Sequence, residues 1–301
     1  MDWNDVQHFL ALARLGSVRA AGASLGVSHS TVARRVEALE AQLSARLFDR
    51  NRDGYVMTAA GEEMLPRAER VEAEMAALER GLVGKDERLS GVVSITCCDH
   101  FVSRIVLREL AELCQRYPDI ELTLVSDSRP FDLSKREADI ALRILGKDMQ
   151  PPEHLIGTKL VPLTLCNYVG REHAGRLDAE AADTSARWVS FDTRKIHERL
   201  INSGSYPRIR PWGNYSSVEL LTQAVVEGHG IGMLPTYAGD ATPELCRLKN
   251  TDLRHVADLW LLSHPDLRDN ARLRAVRAAM VEGFRRHNAL FVGESGPNNS
   301  A

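Results

Sequence analysis

The stretch from Ser17 to Glu40 constrains the fold of this chain more than any other. It reads SVRAAGASLGVSHSTVARRVEALE and predicts two short helices with a tight turn between them. Gly26 is expected to end the first helix, because glycine adopts the left-handed conformation of a helix C-terminus with little strain. In the second helix, Val32, Val36 and Leu39 follow one another at intervals of four and three residues, which predicts a single buried face.

The second helix of this pair carries polar and basic side chains on the face opposite its apolar stripe. A serine stands where it would cap the helix, hydroxyl side chains follow, and two arginines lie in the middle. Such a helix is suited to the major groove of DNA. The alternative is a pair of core helices whose basic face is only solvated. The candidate DNA-contacting residues of the helix are Ser28, His29, Ser30, Thr31, Arg34 and Arg35.

A polar turn over residues 49–54 follows the helix pair. Leu47 and Phe48 before it are expected to return to the core, and residues 55–57 after it predict a brief strand. A small hairpin with a basic tip can lie against phosphates or in a minor groove, as a wing does. An ordinary surface hairpin remains the alternative. The candidate DNA-contacting residues here are Arg50 and Arg52.

A long helix is predicted to begin after Thr58, which is placed to cap it. Its apolar residues recur at intervals of 4, 3, 4, 3 and 4, which is a heptad pattern on an otherwise charged helix. A narrow apolar stripe favours pairing with a partner helix, although packing against the body of the same chain is the alternative. The residues predicted to dimerise are Met64, Ala68, Val71, Met75, Leu78 and Leu82.

From Val92 onwards strands and helices alternate. This order predicts a mostly parallel α/β sheet, and two groups of elements predict two lobes with a cleft between them. Trp188 and Phe191 are predicted to lie in the core. Strands are predicted over 92–97, 120–125, 139–144, 160–168, 188–191 and 256–263, and a further strand is predicted to end at residue 235. Helices are predicted over 100–116, near 131–137, over 216–227 and over 270–287.

Composition excludes several classes of protein. The net charge of −3 over 301 residues means that any affinity for DNA must come from local placement of cations. The start, MDWNDVQ, lacks the features of a secretory signal, and no apolar run is long enough to span a membrane. Five cysteines without disulfide spacing fit a reducing cytoplasm, where we expect the protein to act. The sequence contains no P-loop, HExxH or CxxC motif, so we expect no catalytic residue, metal or cofactor.

The first 90 residues resemble the LysR-type transcriptional regulators. The remainder is similar to that family's effector domain, which resembles a periplasmic binding protein, through residues 116–118, 138–143 and 228–235. Many relatives have Gln-Pro where this chain has His29-Ser30, so its preferred DNA sequence stays open. The residues that carry the N-terminal resemblance are Phe9, Ser17, Ala20, Ala21, Leu25, Val27, Ser28, Ser30, Thr31, Val32, Arg34, Arg35, Val36, Leu39, Glu40, Leu47, Phe48, Arg50, Gly54 and the run 58–62.

The resemblance implies an architecture and a function. An all-α winged helix-turn-helix domain would span 1–57, a linker helix and hinge 58–90, and a two-lobed α/β effector domain 91–292, followed by a disordered tail over 293–301. Lobe I would comprise about 91–161 and 265–292, and lobe II about 162–264. The chain would be a sequence-specific regulator controlled by a small-molecule effector in the cleft. Its partners would be double-stranded DNA, the effector, RNA polymerase and further copies of itself, as a homodimer or homotetramer.

In that family the effector lies between the lobes, against the start of the first effector-domain helix. A strand that runs into a helix N-terminus favours an anion there. Asp99 is most simply the cap of this helix; if it faces the cleft instead, the effector is neutral or amine-bearing. Arg143 can equally be a structural ion-pair partner. The predicted effector residues are Cys98, Asp99, His100, Phe101, Ser126, Ser128, Arg143, Cys166, Asn214, Ser216 and Ser217.

A thiol switch is the alternative control mechanism. Cys98 lies near a predicted helix N-terminus, which can lower the pKa of a thiol. A disulfide with its neighbour Cys97 would be strained, so Cys98 would need a distant partner such as Cys166. Two small buried side chains are the simpler interpretation of the Cys97–Cys98 pair.

Overall fold

A computed structural model describes residues 2–51, 54–84, 86–127, 138–191 and 201–294, with residues 80–84 described by their backbone only. The chain divides into two compact units, Met1–Leu82 and Val83–Ala301. The predicted helix near 131–137 lies outside the described residues, as do the tip of the predicted wing at 52–53 and the tail from 295. Within the described ranges, no helix has both the length and the apolar character needed to cross a bilayer.

The first unit is a winged helix-turn-helix followed by a long helix, as predicted. Each of its first three helices contributes apolar residues to one small core, in which Phe9, Val32 and Leu39 are fully buried. The elements are α1 (Trp3–Leu15), α2 (Val18–Leu25), α3 (His29–Leu43), the antiparallel hairpin β1 (Phe48–Asn51) and β2 (Gly54–Met57), and α4 (Ala59–Gly84).

Backbone contacts fix the hairpin to the helices of this unit. The carboxylate of Glu40, in α3, accepts hydrogen bonds from the backbone N–H groups of Leu47 (2.6 Å) and Phe48 (3.0 Å). On the other strand, the N–H of Tyr55 donates to the carbonyl of Gly16 (3.0 Å), and Gly54 has a φ of +133° that favours glycine. The hairpin is therefore held in a defined position relative to α3.

The second unit is built on a nine-stranded sheet with helices packed against it. The strand order is β4-β3-β5-β11-β6-β9-β7-β8, and β10 pairs with β6. The described strands are β3 (Gly91–Cys97), β4 (Ile120–Ser126), β5 (Ile140–Gly146), β6 (Ile156–Gly170), β7 (Trp188–Phe191), β8 (Pro211–Tyr215), β9 (Ile231–Pro235), β10 (Leu245–Arg247) and β11 (Arg254–Ser263). The described helices are α5 (His100–Arg116), α6 (Val218–Val226), α7 (Thr236–Gly239), α8 (Ala271–Arg286) and α9 (Asn288–Val292).

The prediction of a mostly parallel sheet is wrong. Four strand pairs in the described part of the sheet are parallel, and the other four are antiparallel. Every antiparallel pair involves β6 or β11, the two longest strands, which pair with each other in the middle of the sheet. These strands connect the parallel group β4-β3-β5 to the parallel group β9-β7-β8. Because both are apolar along much of their length, sequence alone gives no direction for their pairing.

The two groups of strands have separate cores, which correspond to the two lobes. The core around β3, β5 and β11 includes Ile95, Leu110 and Leu259, whereas Trp188 and Ile231 belong to a second core around β7 and β9. Tyr237 of α7 packs in the first of these cores although its sequence position follows the strands of the second lobe. The chain thus crosses between the lobes more than once.

Candidate functional site

The start of α3 has the geometry expected of a groove-binding helix. Ser28 caps it, because its Oγ accepts a hydrogen bond from the backbone N–H of Thr31 (3.1 Å). The same oxygen lies 2.8 Å from the hydroxyl groups of Ser30 and Thr31. Ser28, His29 and Ser30 are exposed and Thr31 is half-buried. The cap therefore presents a compact cluster of hydroxyl groups to solvent at the N-terminus of the helix.

The structure separates the two arginines of α3, which the sequence treats alike. Arg34 is exposed, and within the described part of the chain no hydrogen bond or ion pair holds its guanidinium. Arg35 instead donates to Asp5 (3.1 Å), whose side chain is only 4% exposed. A buried carboxylate needs such a partner, so Arg35 ties α3 to α1. Arg34 is the arginine available to a base.

A close backbone approach sets the angle between α2 and α3. An ideal Cβ built on Gly22 would lie 2.8 Å from the carbonyl oxygen of Val27, which is shorter than the contacts that real Cβ atoms make. We expect Gly22→Ala to lower the free energy of unfolding of the first unit by about 1–3 kcal/mol, because the turn must open. Urea denaturation measures this loss, with Ala23→Ser on the exposed face of α2 as the control. Equal stability of the two variants would contradict it.

The hairpin presents Arg50 on an exposed strand position opposite Tyr55. The Arg50 guanidinium lies 5.9 Å from the centre of the Tyr55 ring, within the range of a cation–π contact. This contact leaves the charge at the surface, where a phosphate can reach it. Arg52, the other predicted residue, lies outside the described residues.

The apolar stripe of α4 divides into a buried and an exposed part. Ala68 is 4% exposed and belongs to the core of the first unit, and Met64 packs against that core. Both residues also line a cavity together with Val71 and Met75, so their place in a dimer interface stays a prediction. Val71, Met75 and Leu78 are exposed by 47%, 36% and 60%. The side chain of Leu82, the sixth predicted residue, lies outside those described.

In the second unit, a cavity of about 460 Å³ forms where β3 and β4 end and where α5 and α6 begin. Six of the predicted effector residues line it, which confirms that the fold brings them together: Cys98, Asp99, His100, Ser126, Ser216 and Ser217. Sequence reasoning missed Asp127, Phe191, Val218 and Glu219, which also line it. Phe191, predicted to be core, is half-buried and forms an apolar wall, whereas Trp188 is buried as predicted.

Four predicted effector residues do not line this cavity. Phe101 packs against the core and faces a different cavity, beside Tyr237. Arg143 donates to the carbonyl oxygens of Leu142 (2.7 Å) and Thr96 (3.2 Å), a structural role. Cys166 is 1% exposed in a core of the second lobe, because the long strand β6 points it inward. Asn214 is exposed on the edge strand β8, and Ser128 lies outside the described residues.

Asp99 is the cap of α5, as the simpler interpretation predicted, and it also lines the cavity. Its carboxylate accepts from the backbone N–H of Val102 (2.8 Å) and from the hydroxyl of Tyr237 (2.6 Å). The backbone N–H of His100 donates to Glu219 (2.5 Å), which belongs to α6. Carboxylates of the chain therefore already occupy donors at the N-terminus of α5. This arrangement opposes the expectation that an anion binds there.

Burial raises the pKa of Asp99 and outweighs the hydrogen bonds from Tyr237 and Val102, which lower it. The carboxyl group has a higher pKa in the folded state than in the unfolded state, where it is 3.8. Its ionisation therefore destabilises the fold as the pH rises from 3.8 through the folded-state pKa. We therefore expect the stability of Asp99→Asn relative to the natural chain to increase as the pH rises above 3.8, because the amide cannot ionise. Urea midpoints at each pH measure this difference. A difference that is independent of pH would contradict the prediction.

The cysteines beside the cavity lack the features of a reactive thiol. All five cysteines are unpaired. Burial raises the pKa of Cys97 to about 12 and that of Cys98 well above its ordinary value, and neighbouring Asp99 raises both further. Because the thiolate is the reactive form, these environments suppress thiol chemistry.

The sequence matches two family models. Residues 3–62 match the bacterial regulatory helix-turn-helix proteins of the lysR family, and residues 86–285 match the LysR substrate binding domain. The chain belongs to the LysR family of transcriptional regulators. Regulators of this family bind DNA and small-molecule effectors and act as oligomers. The second match covers the unit that contains the cavity, which is the effector-binding domain of this LysR-type regulator.

Relatives of this LysR-type regulator include two curated proteins. It is 26% identical over 253 residues to the HTH-type transcriptional regulator PgrR of Escherichia coli K12, covering 77% of this chain and 80% of PgrR. It is 28% identical over 238 residues to CrgA of Neisseria meningitidis, covering 77% and 79% of the two chains.

Among solved structures, that of CrgA has a TM-score of 0.55 and 25% identity, covering 94% of this chain and 99% of CrgA. The full-length Vibrio cholerae virulence activator AphB has a TM-score of 0.62 and 17% identity, covering 94% and 99%. The likeness to AphB concerns the fold alone.

Proposed function

We propose that this LysR-type regulator binds operator DNA through α3 and that a small molecule in the effector cavity controls this binding. The observation that carries the proposal is the exposed Arg34, which pairs with no described residue, beside the hydroxyl cluster of Ser28, Ser30 and Thr31. Arginine can donate two hydrogen bonds to O6 and N7 of guanine, and the hydroxyl groups suit phosphates. Arg50 on the hairpin supplies a second, sequence-independent contact to the backbone.

The dimer that such regulators need would form through α4. Val71, Met75 and Leu78 leave an exposed apolar stripe of heptad spacing on a helix whose other exposed residues are largely charged. Two copies of the stripe would bury each other and place two α3 helices on half-sites about 10 bp, or a multiple of this spacing, apart. The assembly would be a homodimer or a homotetramer, and RNA polymerase is a further candidate partner on promoter DNA.

The chemistry of the cavity favours a neutral or amine-bearing effector. Three carboxylate residues, Asp99, Asp127 and Glu219, lie among its described lining residues, together with the ring of Phe191. Carboxylates attract an ammonium group and an aromatic face adds a cation–π contact. The bond from His100 to Glu219 joins α5 to α6, so a ligand that displaces Glu219 would change the separation of these helices. A change at this point is a physical means of coupling the cavity to DNA affinity.

Footprinting across the genome with the purified full-length protein tests the proposal. Protected sites should contain paired half-sites, and neighbouring genes should indicate candidate effectors for titration. A protein that protects no site, or that protects DNA without sequence preference, would contradict the assignment of α3. Protection that is unchanged by every metabolite implied by those genes would contradict control by the cavity.

The thiol-switch alternative predicts that oxidation changes DNA binding, and we expect no change. Burial keeps Cys97 and Cys98 protonated at neutral pH, so hydrogen peroxide should react slowly with both. Footprints measured before and after treatment with millimolar peroxide, with free thiols counted in the same samples, check this. Loss of the footprint that dithiothreitol reverses, and that Cys98→Ser prevents, would restore the redox hypothesis.

A further inference from the structure

A second cavity, of about 120 Å³, lies in the effector-binding unit beside the first turns of α5. Phe101 and Tyr237 form aromatic walls, and Ile105 and Leu290 add aliphatic surface. Arg104 and Arg108 line the cavity as well, and both are exposed. His287 lines it too, so the recess is apolar with two guanidinium groups and one imidazole in its lining. None of these residues lines the larger effector cavity described above.

The aromatic walls are held in place before any ligand binds. The hydroxyl of Tyr237 donates to Asp99 (2.6 Å), and its ring packs against Phe291 at a centroid distance of 4.7 Å. The Phe101 ring stands edge-on to Tyr237 at 6.5 Å. Fixed walls lower the conformational cost of binding, because neither ring has to be ordered when the ligand enters.

The charges of this cavity are not balanced by the chain. Arg104 and Arg108 lie four residues apart on one helix face, where like charges repel. Among the described residues, no carboxylate pairs with either of them. The nearest acidic residue in sequence, Glu109, accepts hydrogen bonds from Arg286 and from His287 (2.7 Å). Burial raises the pKa of Glu109, but these hydrogen bonds outweigh it and lower the pKa, so Glu109 is committed to the other two residues.

We propose that this cavity is a second binding site, for a small organic carboxylate with a compact apolar body. The apolar body would lie between Phe101 and Tyr237, and the carboxylate would accept hydrogen bonds from Arg104 and Arg108, relieving their repulsion. The volume is below the 300–1,000 Å³ or so of sites for drug-sized ligands, so the body is no larger than about one ring. The site has the opposite charge preference to the acidic effector cavity and takes a different class of ligand.

Titration calorimetry on the full-length protein tests the site, with phenylacetate as the probe. We expect saturable binding that Arg104→Gln and Arg108→Gln each weaken by at least about tenfold, the size expected for a lost charge-assisted hydrogen bond. Arg116→Gln is the matched control, because it removes the same charge from the far end of α5 and does not line the cavity. Melting temperatures of all variants show whether each one is folded.

Further titrations test which features of the ligand the site recognises. The neutral analogue 2-phenylethanol and inorganic phosphate should each bind at least about tenfold more weakly than phenylacetate, because one lacks the charge and the other the apolar body. Ser216→Ala, in the larger cavity, should keep the affinity for phenylacetate within twofold of that of the natural chain. This expectation does not depend on whether the variant still responds to an effector. Absence of saturable binding, equal binding of either analogue, or loss of binding in Ser216→Ala but not in the Arg104 and Arg108 variants would each overturn the proposal.

Discussion

Arg34→Ala should abolish the specific footprint of this regulator while leaving its fold and oligomeric state intact. The side chain is exposed and contacts no described residue through a hydrogen bond or ion pair, so its removal costs no internal interaction. A bidentate contact to guanine contributes about 1–3 kcal/mol of discrimination, and a two-fold complex loses it at both half-sites. Electrophoretic mobility shift and footprinting on the natural operator measure the loss.

Two variants serve as controls for Arg34→Ala. Arg67→Ala removes the same charge from an exposed position on α4, where Arg67 pairs with Glu63, and should leave the footprint unchanged. Arg35→Ala should instead lower the unfolding free energy, because the buried Asp5 loses its partner. If Arg34→Ala binds its operator as the natural chain does, the assignment of base contact to Arg34 is wrong.

Leu78→Asp should convert the regulator to a monomer. The Leu78 side chain is 60% exposed on α4, so an aspartate there does not disturb the core of the first unit. In a symmetric dimer, however, two carboxylates would be brought into one apolar interface without partners. We expect the dissociation constant of the dimer to rise by at least about a hundredfold, which corresponds to roughly 3 kcal/mol. Sedimentation equilibrium over a range of protein concentrations measures it.

Ala73→Asp provides the matched control for Leu78→Asp. Ala73 is exposed on the same helix but lies off the heptad stripe, so the same added charge should leave the dimer unchanged. DNA affinity of Leu78→Asp should fall as well, since a monomer holds only one half-site at a time. If Leu78→Asp stays dimeric, another surface carries the dimer and the role of α4 has to be withdrawn.

Sequence predicts the elements that depend on neighbouring residues. The periodicity of Val32, Val36 and Leu39, the cap at Ser28 and Gly26 at the turn predict α2 and α3 within a residue or two. The hairpin and the long helix after Thr58 are equally local, because a few consecutive residues contain their turn and capping signals. The grouping of strands and helices predicts two lobes, and resemblance to a family adds six of the residues that line the larger cavity.

Only the tertiary structure decides which of several similar residues does what. Arg34 and Arg35 are adjacent in sequence, yet Asp5, thirty residues away, holds only Arg35. The backbone N–H of His100, at the start of α5, donates to Glu219, which is 119 residues distant, and Asp99 accepts from Tyr237 at a separation of 138 residues. Local periodicity gives no information about such pairs, because they form when the strands of the two lobes assemble. The charge of the larger cavity, and the second cavity beside the first turns of α5, are consequences of that assembly.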